Sequence, residues 1–224
     1  MGQRLNDIPF GEWVEYLFGH SVTKPAWYWS PDCDWWDAGP ATAVRFVTRL
    51  FEGSRSLLHP YSDEQVNQGL WGLIDTGCFG IMQDIFCGDG VPLPERRKCI
   101  RSILLLFQDC FAVRCSGHLS SLDQTGANAV NSVCYMWWDI FPISGDPEDP
   151  SQSAQDREFL AVMRDTLAIS SIACRESALH GLGHWQLHYP DRVVEIVDEF
   201  LTRTPDISQP LLTYARAARV GNVL

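Results

Sequence analysis

Three histidines at intervals of four residues are the sharpest chemical feature of the sequence: His180, His184 and His188. Residues four apart share one face of a helix, and a histidine pair at this spacing is a known metal-ligand geometry. The outer two would lie about 12 Å apart along the helix axis, too far for one ion with Zn–N bonds of about 2 Å. The spacing therefore predicts that a zinc or other divalent transition metal site would use His180 and His184, with further ligands from another helix.

Two other interpretations compete with the metal site. The favoured one makes these histidines structural or surface side chains, and the other gives them acid–base catalysis. Glu176 precedes His180 by one turn, but it is as far from His184 as His180 is from His188. The HExxH order of metalloproteases is absent, so their general base is missing. The sequence accordingly predicts no cofactor, with zinc or another divalent transition metal as the alternative.

A second candidate site is the aromatic and acidic segment 26–37. Its five large aromatic residues are Trp27, Tyr28, Trp29, Trp35 and Trp36. The favoured interpretation is a cap that plugs the first helices, and the alternative is an exposed recognition surface, because Trp and Tyr dominate binding hot spots. A calcium loop at Asp32, Asp34 and Asp37 would lack the glycine and distal glutamate of an EF-hand.

Composition narrows the classes of partner. The formal net charge is −11, with 17 basic and 28 acidic residues, which argues against nucleic acid as a partner and favours a protein with a basic surface. The one basic cluster, 95–101, is typical of a solvated helix face.

The longest apolar run, 103–107, is too short to cross a bilayer, and residues 1–10 do not resemble a secretory signal. We therefore predict a cytoplasmic protein without membrane association.

Eight cysteines fit a reducing compartment. Most fall within apolar helical patterns, where a free thiol behaves as a small buried hydrophobe. No CxxC pair occurs, so neither a zinc ribbon nor a thioredoxin-like motif is supported. Disulfides remain the alternative if the protein is exported by another route.

The elements that would position these residues are helices. Apolar residues recur with helical periodicity, whereas no segment shows clean strand alternation. The predicted helices cover 8–17, 41–51, 62–74, 94–111, 128–141, 153–172, 175–189, 191–202 and 207–218. Ser62 to Gln65 fit a capping box, and Gly181 and Gly183 are interpreted as sites of close helix packing. Segments 24–40 and 143–153 are predicted to be irregular.

Two of these helices align without gaps. Residues 128–142 and 176–190 both carry a small residue, an aliphatic residue and a tryptophan, and both end in an aromatic residue followed by proline. Residues 68–73 also resemble 177–182, and an amphipathic helix follows each segment. This pattern resembles HEAT or armadillo helical repeats over about residues 41–218. Proteins of that kind mostly bind other proteins, so the resemblance implies an interaction scaffold.

Together these features predict an all-α chain of stacked antiparallel helix pairs, forming a HEAT-like α-solenoid or a compact helical bundle. We expect one domain over 1–224, with a helix and aromatic cap in 1–40 and repeats in 41–218. The predicted function is a protein-interaction scaffold or adaptor. The alternative is a metal- or histidine-dependent enzyme that uses the helix face of His180 and His184.

Overall fold

The protein is all-α, as the periodicity predicted. The computed structural model describes residues 3–75, 77, 79–122, 124–142 and 145–223. Within these residues the only strands are β1 (Arg4–Leu5) and β2 (Trp35–Trp36), which pair in parallel. Contacts divide the chain into two compact units, residues 1–106 and 107–224. The prediction of a single domain stays a prediction, and each unit is described separately.

The first unit contains six α-helices and a 3-10 turn (Trp27–Trp29) among its described residues. The α-helices are α1 (Phe10–Phe18), α2 (Pro40–Glu52), α3 (Ser54–Leu57), α4 (Asp63–Ile74), α5 (Ile81–Phe86) and α6 (Leu93–Leu106). Helix α2 packs against α5 and α6, while α1 packs against α4. The predicted capping box is confirmed, since the Ser62 side chain accepts from the Gln65 N–H and the Gln65 side chain accepts from the Ser62 N–H.

The second unit is built around one central helix. It begins with a π-helical turn (Phe107–Phe111) and α7 (Ala112–Arg114), followed by a 3-10 turn (Ser120–Leu122). The longer helices are α8 (Val130–Ile140), α9 (Pro150–Leu167), α10 (Ile172–Trp185), α11 (Pro190–Arg203) and α12 (Gln209–Ala218). Helix α10 contacts α8, α9, α11 and α12, so it is buried on nearly every face.

The two glycines of α10 mark its closest contacts, which confirms their interpretation as packing positions. A Cβ atom at Gly181 would lie 2.5 Å from the Cβ of Trp138 on α8. One at Gly183 would lie 2.5 Å from Cγ2 of Val223, in the chain after α12. Both distances are below van der Waals contact, so these positions accept no larger residue without a shift of the neighbour.

Several local features differ from the sequence predictions. Neither the two-residue strands nor the short helices α3 and α5 were expected, because elements this short show no periodicity. Helix α10 begins at Ile172 and ends at Trp185, not at the residue before Pro190. Helix α9 begins at Pro150, inside the segment predicted to be irregular, of which Ile143 and Ser144 lie outside the described residues.

The described cysteines have free thiols, and four of them are buried: Cys99, Cys110, Cys134 and Cys174. Cys78 lies outside the described residues. In the described part of the chain, no helix has both the length and the apolarity needed to cross a bilayer.

Candidate metal centre

Helices α8 and α10 pack side by side, and successive residues of one contact successive residues of the other. The Ser177 hydroxyl donates to the carbonyl of Cys134, and farther along both helices the His180 ring lies 4.4 Å from that of Tyr135. One turn later, His184 contacts Asp139. Because these contacts advance together, the two helices run in the same direction. The faces that meet therefore carry Tyr135 and Asp139 on α8, opposite His180 and His184 on α10.

Three metal-ligating atoms converge at this interface. Nε2 of His184 lies 3.2 Å from Nε2 of His180 and 3.2 Å from Oδ1 of Asp139. One ligand atom from each of the three residues lies within 4.8 Å of the other two. Among the residues that the structure describes, no other group of three or more histidine, cysteine, aspartate or glutamate side chains meets this geometry.

The two separations from His184 suit a shared metal ion. Two donor atoms 3.2 Å apart, each about 2.1 Å from one ion, subtend about 100° at it. This angle lies between the octahedral and tetrahedral values. Two histidines and one carboxylate are also a donor set used by mononuclear iron(II) and zinc sites that keep positions open for other ligands.

Two tyrosine hydroxyls form a hydrogen-bonded chain on the Nδ1 side of the buried His180. Nδ1 of His180 lies 2.6 Å from the hydroxyl oxygen of Tyr214 on α12, which lies 3.1 Å from the hydroxyl oxygen of Tyr135. When Nε2 of His180 binds a metal, Nδ1 carries the proton and donates it to Tyr214. A hydrogen bond between the Tyr214 and Tyr135 hydroxyls, in which either can donate, extends this chain. This chain holds the ring orientation and the tautomer that metal binding requires.

Burial sets the protonation of these groups. Burial, assisted by the neighbouring His184 and opposed by Asp139, lowers the pKa of His180 to about 4. Burial likewise raises the pKa of Tyr214 well above its usual value, assisted by the hydrogen bond with Tyr135. At neutral pH His180 is therefore a neutral imidazole, the form that binds metals, and Tyr214 is a protonated phenol.

The site is closed on one side and open on the other. His180 is 1% exposed, whereas the side chains of His184 and Asp139 are 29% and 30% exposed. An ion held here would have its inner side enclosed by the unit and its outer side accessible to water or a small ligand. That arrangement is typical of reactive metal sites, since structural sites are closed by four protein ligands.

The structure separates the other residues that the sequence associated with this site. His188 follows the end of α10 and is exposed. The buried carboxylate of Glu176 instead accepts from the backbone N–H groups of Ser120 and Ser121 and from the Ser121 hydroxyl. It therefore holds the 3-10 turn against α10. The sequence analysis did not include Asp139 in this site, and only the pairing of α8 with α10 brings it to the histidines.

The aromatic segment divides between core and surface. Trp36 is 4% exposed and stacks on Phe46, whereas Trp29 and Trp35 are 51% and 41% exposed. Trp27 stacks on His20 at 3.8 Å between ring centroids, and Tyr28 packs against Phe79. Both are half-buried. The segment therefore contributes Trp36 to the core and Trp29 and Trp35 to the surface, and its role as a cap or as a recognition surface stays a prediction.

Comparisons of the chain with protein-family models, with curated proteins and with solved structures find no match.

Proposed function

We propose that this protein is a metal-dependent enzyme whose mononuclear centre is formed by Asp139, His180 and His184. The observation that carries the proposal is the convergence of three potential ligand atoms from two helices, with Nε2 of His184 3.2 Å from both Nε2 of His180 and Oδ1 of Asp139. Three protein ligands leave coordination positions open, and the half-exposed outer side gives a ligand access to them.

The donor set favours iron(II) or zinc among the common cellular metals. Imidazole nitrogen suits both ions, and one carboxylate balances part of their charge. Either ion would act as a Lewis acid on a bound water or substrate oxygen. Tyr214 and Tyr135 would orient His180 beneath it.

Cobalt(II) is a sensitive probe for this centre because its visible spectrum reports both binding and coordination number. We expect the metal-free protein to bind one cobalt(II) ion per chain, with absorption bands that change when azide is added. Azide binding would demonstrate open positions. Absence of stoichiometric binding, or bands that azide leaves unchanged, would contradict a reactive centre.

Variants test which residues bind the ion. We expect Asp139→Ala and His184→Ala each to abolish stoichiometric cobalt binding. His188→Ala and Asp206→Ala are the matched controls, because both replace exposed residues outside the centre and should bind cobalt as the wild type does. Equal loss in the control variants would indicate nonspecific binding by surface residues.

A second candidate function is a protein-interaction scaffold of helical-repeat type with a basic partner. The exposure of Trp29 and Trp35 favours it, since large aromatic side chains at a surface are typical of binding hot spots. Crosslinking in cell extract should capture a partner with the wild type that a Trp29→Ala/Trp35→Ala variant loses. Trp36 is unsuitable for this test because its removal would leave a cavity in the core.

A further inference from the structure

A cavity of about 220 Å³ lies beside the exposed Trp35 in the first unit. Its lining includes three aromatic residues and two aspartates: Trp35, Trp36, Phe79, Asp37 and Asp84. None of the described lining residues is a lysine, arginine or histidine. Aromatic faces beside carboxylates are the surroundings that organic cations favour.

The strand pair fixes Trp35 at this cavity. Side chains alternate along β2, so the buried Trp36 points into the core while Trp35 points outward. Trp36 is anchored by its stacking on Phe46 at 5.6 Å and by the Trp13 ring at 5.3 Å. Because β1 pairs with β2 at Arg4 and Leu5, the backbone of Trp35 is also held. Trp35 is therefore prepositioned to receive a ligand.

The charge of the cavity is not balanced by the protein. Asp37 forms an ion pair with Arg4 at the surface. Among the described residues, the carboxylate of Asp84 has neither an ion pair nor a side-chain hydrogen bond, although its backbone N–H donates to Gly80. One carboxylate thus remains for a cationic ligand.

We propose that this cavity binds the guanidinium group of an arginine side chain presented by a basic polypeptide. A planar guanidinium can stack on the Trp35 indole while its N–H groups donate to Asp84. The proposal is independent of the metal centre. It deepens the scaffold function by specifying which part of a basic partner the first unit recognises.

Short peptides test the cavity directly in the full-length protein. The probe is acetyl-Gly-Arg-Gly-amide, compared with the same peptide carrying Lys or Gln, and the readout is the indole N–H spectrum of the ¹⁵N-labelled protein. The Trp35 signal is assigned from its absence in Trp35→Phe. We expect the arginine peptide to shift this signal and to bind more tightly than either other peptide.

Matched variants separate the cavity from general acidity. We expect Trp35→Ala and Asp84→Asn each to weaken binding of the arginine peptide by about fivefold or more. Trp29→Ala and Asp89→Asn, which replace an exposed tryptophan and an exposed aspartate outside the cavity, should bind it as the wild type does. Unchanged affinity in Asp84→Asn, or equal binding of the lysine or glutamine peptide, would overturn the proposal. Peptide binding without a captured partner would contradict the scaffold function and leave the cavity assignment intact.

Discussion

The hydroxyl group of Tyr214 determines which nitrogen of His180 is free to bind a metal. It lies 2.6 Å from Nδ1, so Nε2 faces His184, and with a metal on Nε2 the protonated Nδ1 would donate a hydrogen bond to this hydroxyl. Partners of this kind typically change metal affinity by about 10–100-fold when they are removed. We therefore expect Tyr214→Phe to lower the affinity for zinc by about that factor, measured by competition with a chromogenic chelator.

Tyr61→Phe is the matched control for that measurement. The Tyr61 hydroxyl donates to Glu15 in the first unit. The substitution therefore removes a hydrogen bond of similar type that lies away from the proposed metal ligands. Wild-type zinc affinity in Tyr214→Phe, with the protein folded, would show that the tyrosine does not position His180.

The buried carboxyl group of Glu176 leads to a prediction about how the free energy of unfolding depends on pH. Burial raises its pKa above the usual value, although three hydrogen bonds from Ser120 and Ser121 oppose the shift. As pH falls from 7 toward the unfolded pKa of about 4.5, the folded state takes up this proton first. We expect the free energy of unfolding of the wild type to rise relative to that of Glu176→Gln over this range.

Urea denaturation at several pH values measures this difference, and taking Glu176→Gln as the reference cancels the other titrating groups. A difference that stays constant with pH, or that shrinks as pH falls, would show that the carboxyl pKa is not raised in the folded protein.

The candidate ligands show how far single residues can be interpreted from sequence. His180 and His184 were recognisable because a spacing of four defines one helix face. Asp139 was not recognisable, since its place opposite them depends on how α8 and α10 align, and this alignment follows from tertiary packing. Helix geometry had already left His188 out of the site, but the end of α10 before it was not predicted, because helix ends are the least regular part of a pattern.

Close packing of α10 against α8 predicts a cost for enlarging the smallest residue between them. Gly181→Ala would gain about 1 kcal/mol of helix propensity but would place a Cβ 2.5 Å from Trp138. Overpacking typically costs about 1–3 kcal/mol, and Trp138 is fully buried, so its ring has little room to move. We expect Gly181→Ala to lower the free energy of unfolding by about 1–2 kcal/mol in chemical denaturation.

Gly11→Ala on α1 is the control for helix propensity. No atom lies within 4 Å of a Cβ built there, so this variant should gain stability or remain unchanged. Stabilisation of both variants would show that the contact between α10 and α8 is looser than the structure describes.

Periodicity predicted elements best where one face is buried. Helices α2 and α11 have one buried face and one exposed face, and their predicted ranges lie close to the observed ones. Helix α10 is buried on nearly all sides, so its sequence lacks a polar face and its boundaries were misplaced. The strand pair was missed because two residues per strand show no alternation.

The net charge of the whole chain should affect cation binding at the proposed metal centre. The chain carries a formal charge of −11, and with neutral histidines the centre itself carries the single negative charge of Asp139. Binding a divalent ion makes the centre positive within an acidic molecule. The surrounding field therefore favours the cation, and raising the salt concentration should weaken its binding moderately by screening.

Metal binding should also stabilise the fold in a defined place. An ion at about 100 times its dissociation constant stabilises the folded state by about 2.7 kcal/mol when the unfolded chain does not bind it. All three proposed ligands lie in the second unit, on α8 and α10, so a bound ion would join two packed helices there. We expect zinc to slow hydrogen exchange at the amides of both helices and to raise the thermal midpoint of the wild type, whereas Asp139→Ala should show neither effect. Slower exchange confined to residues 1–106 would place the ion elsewhere.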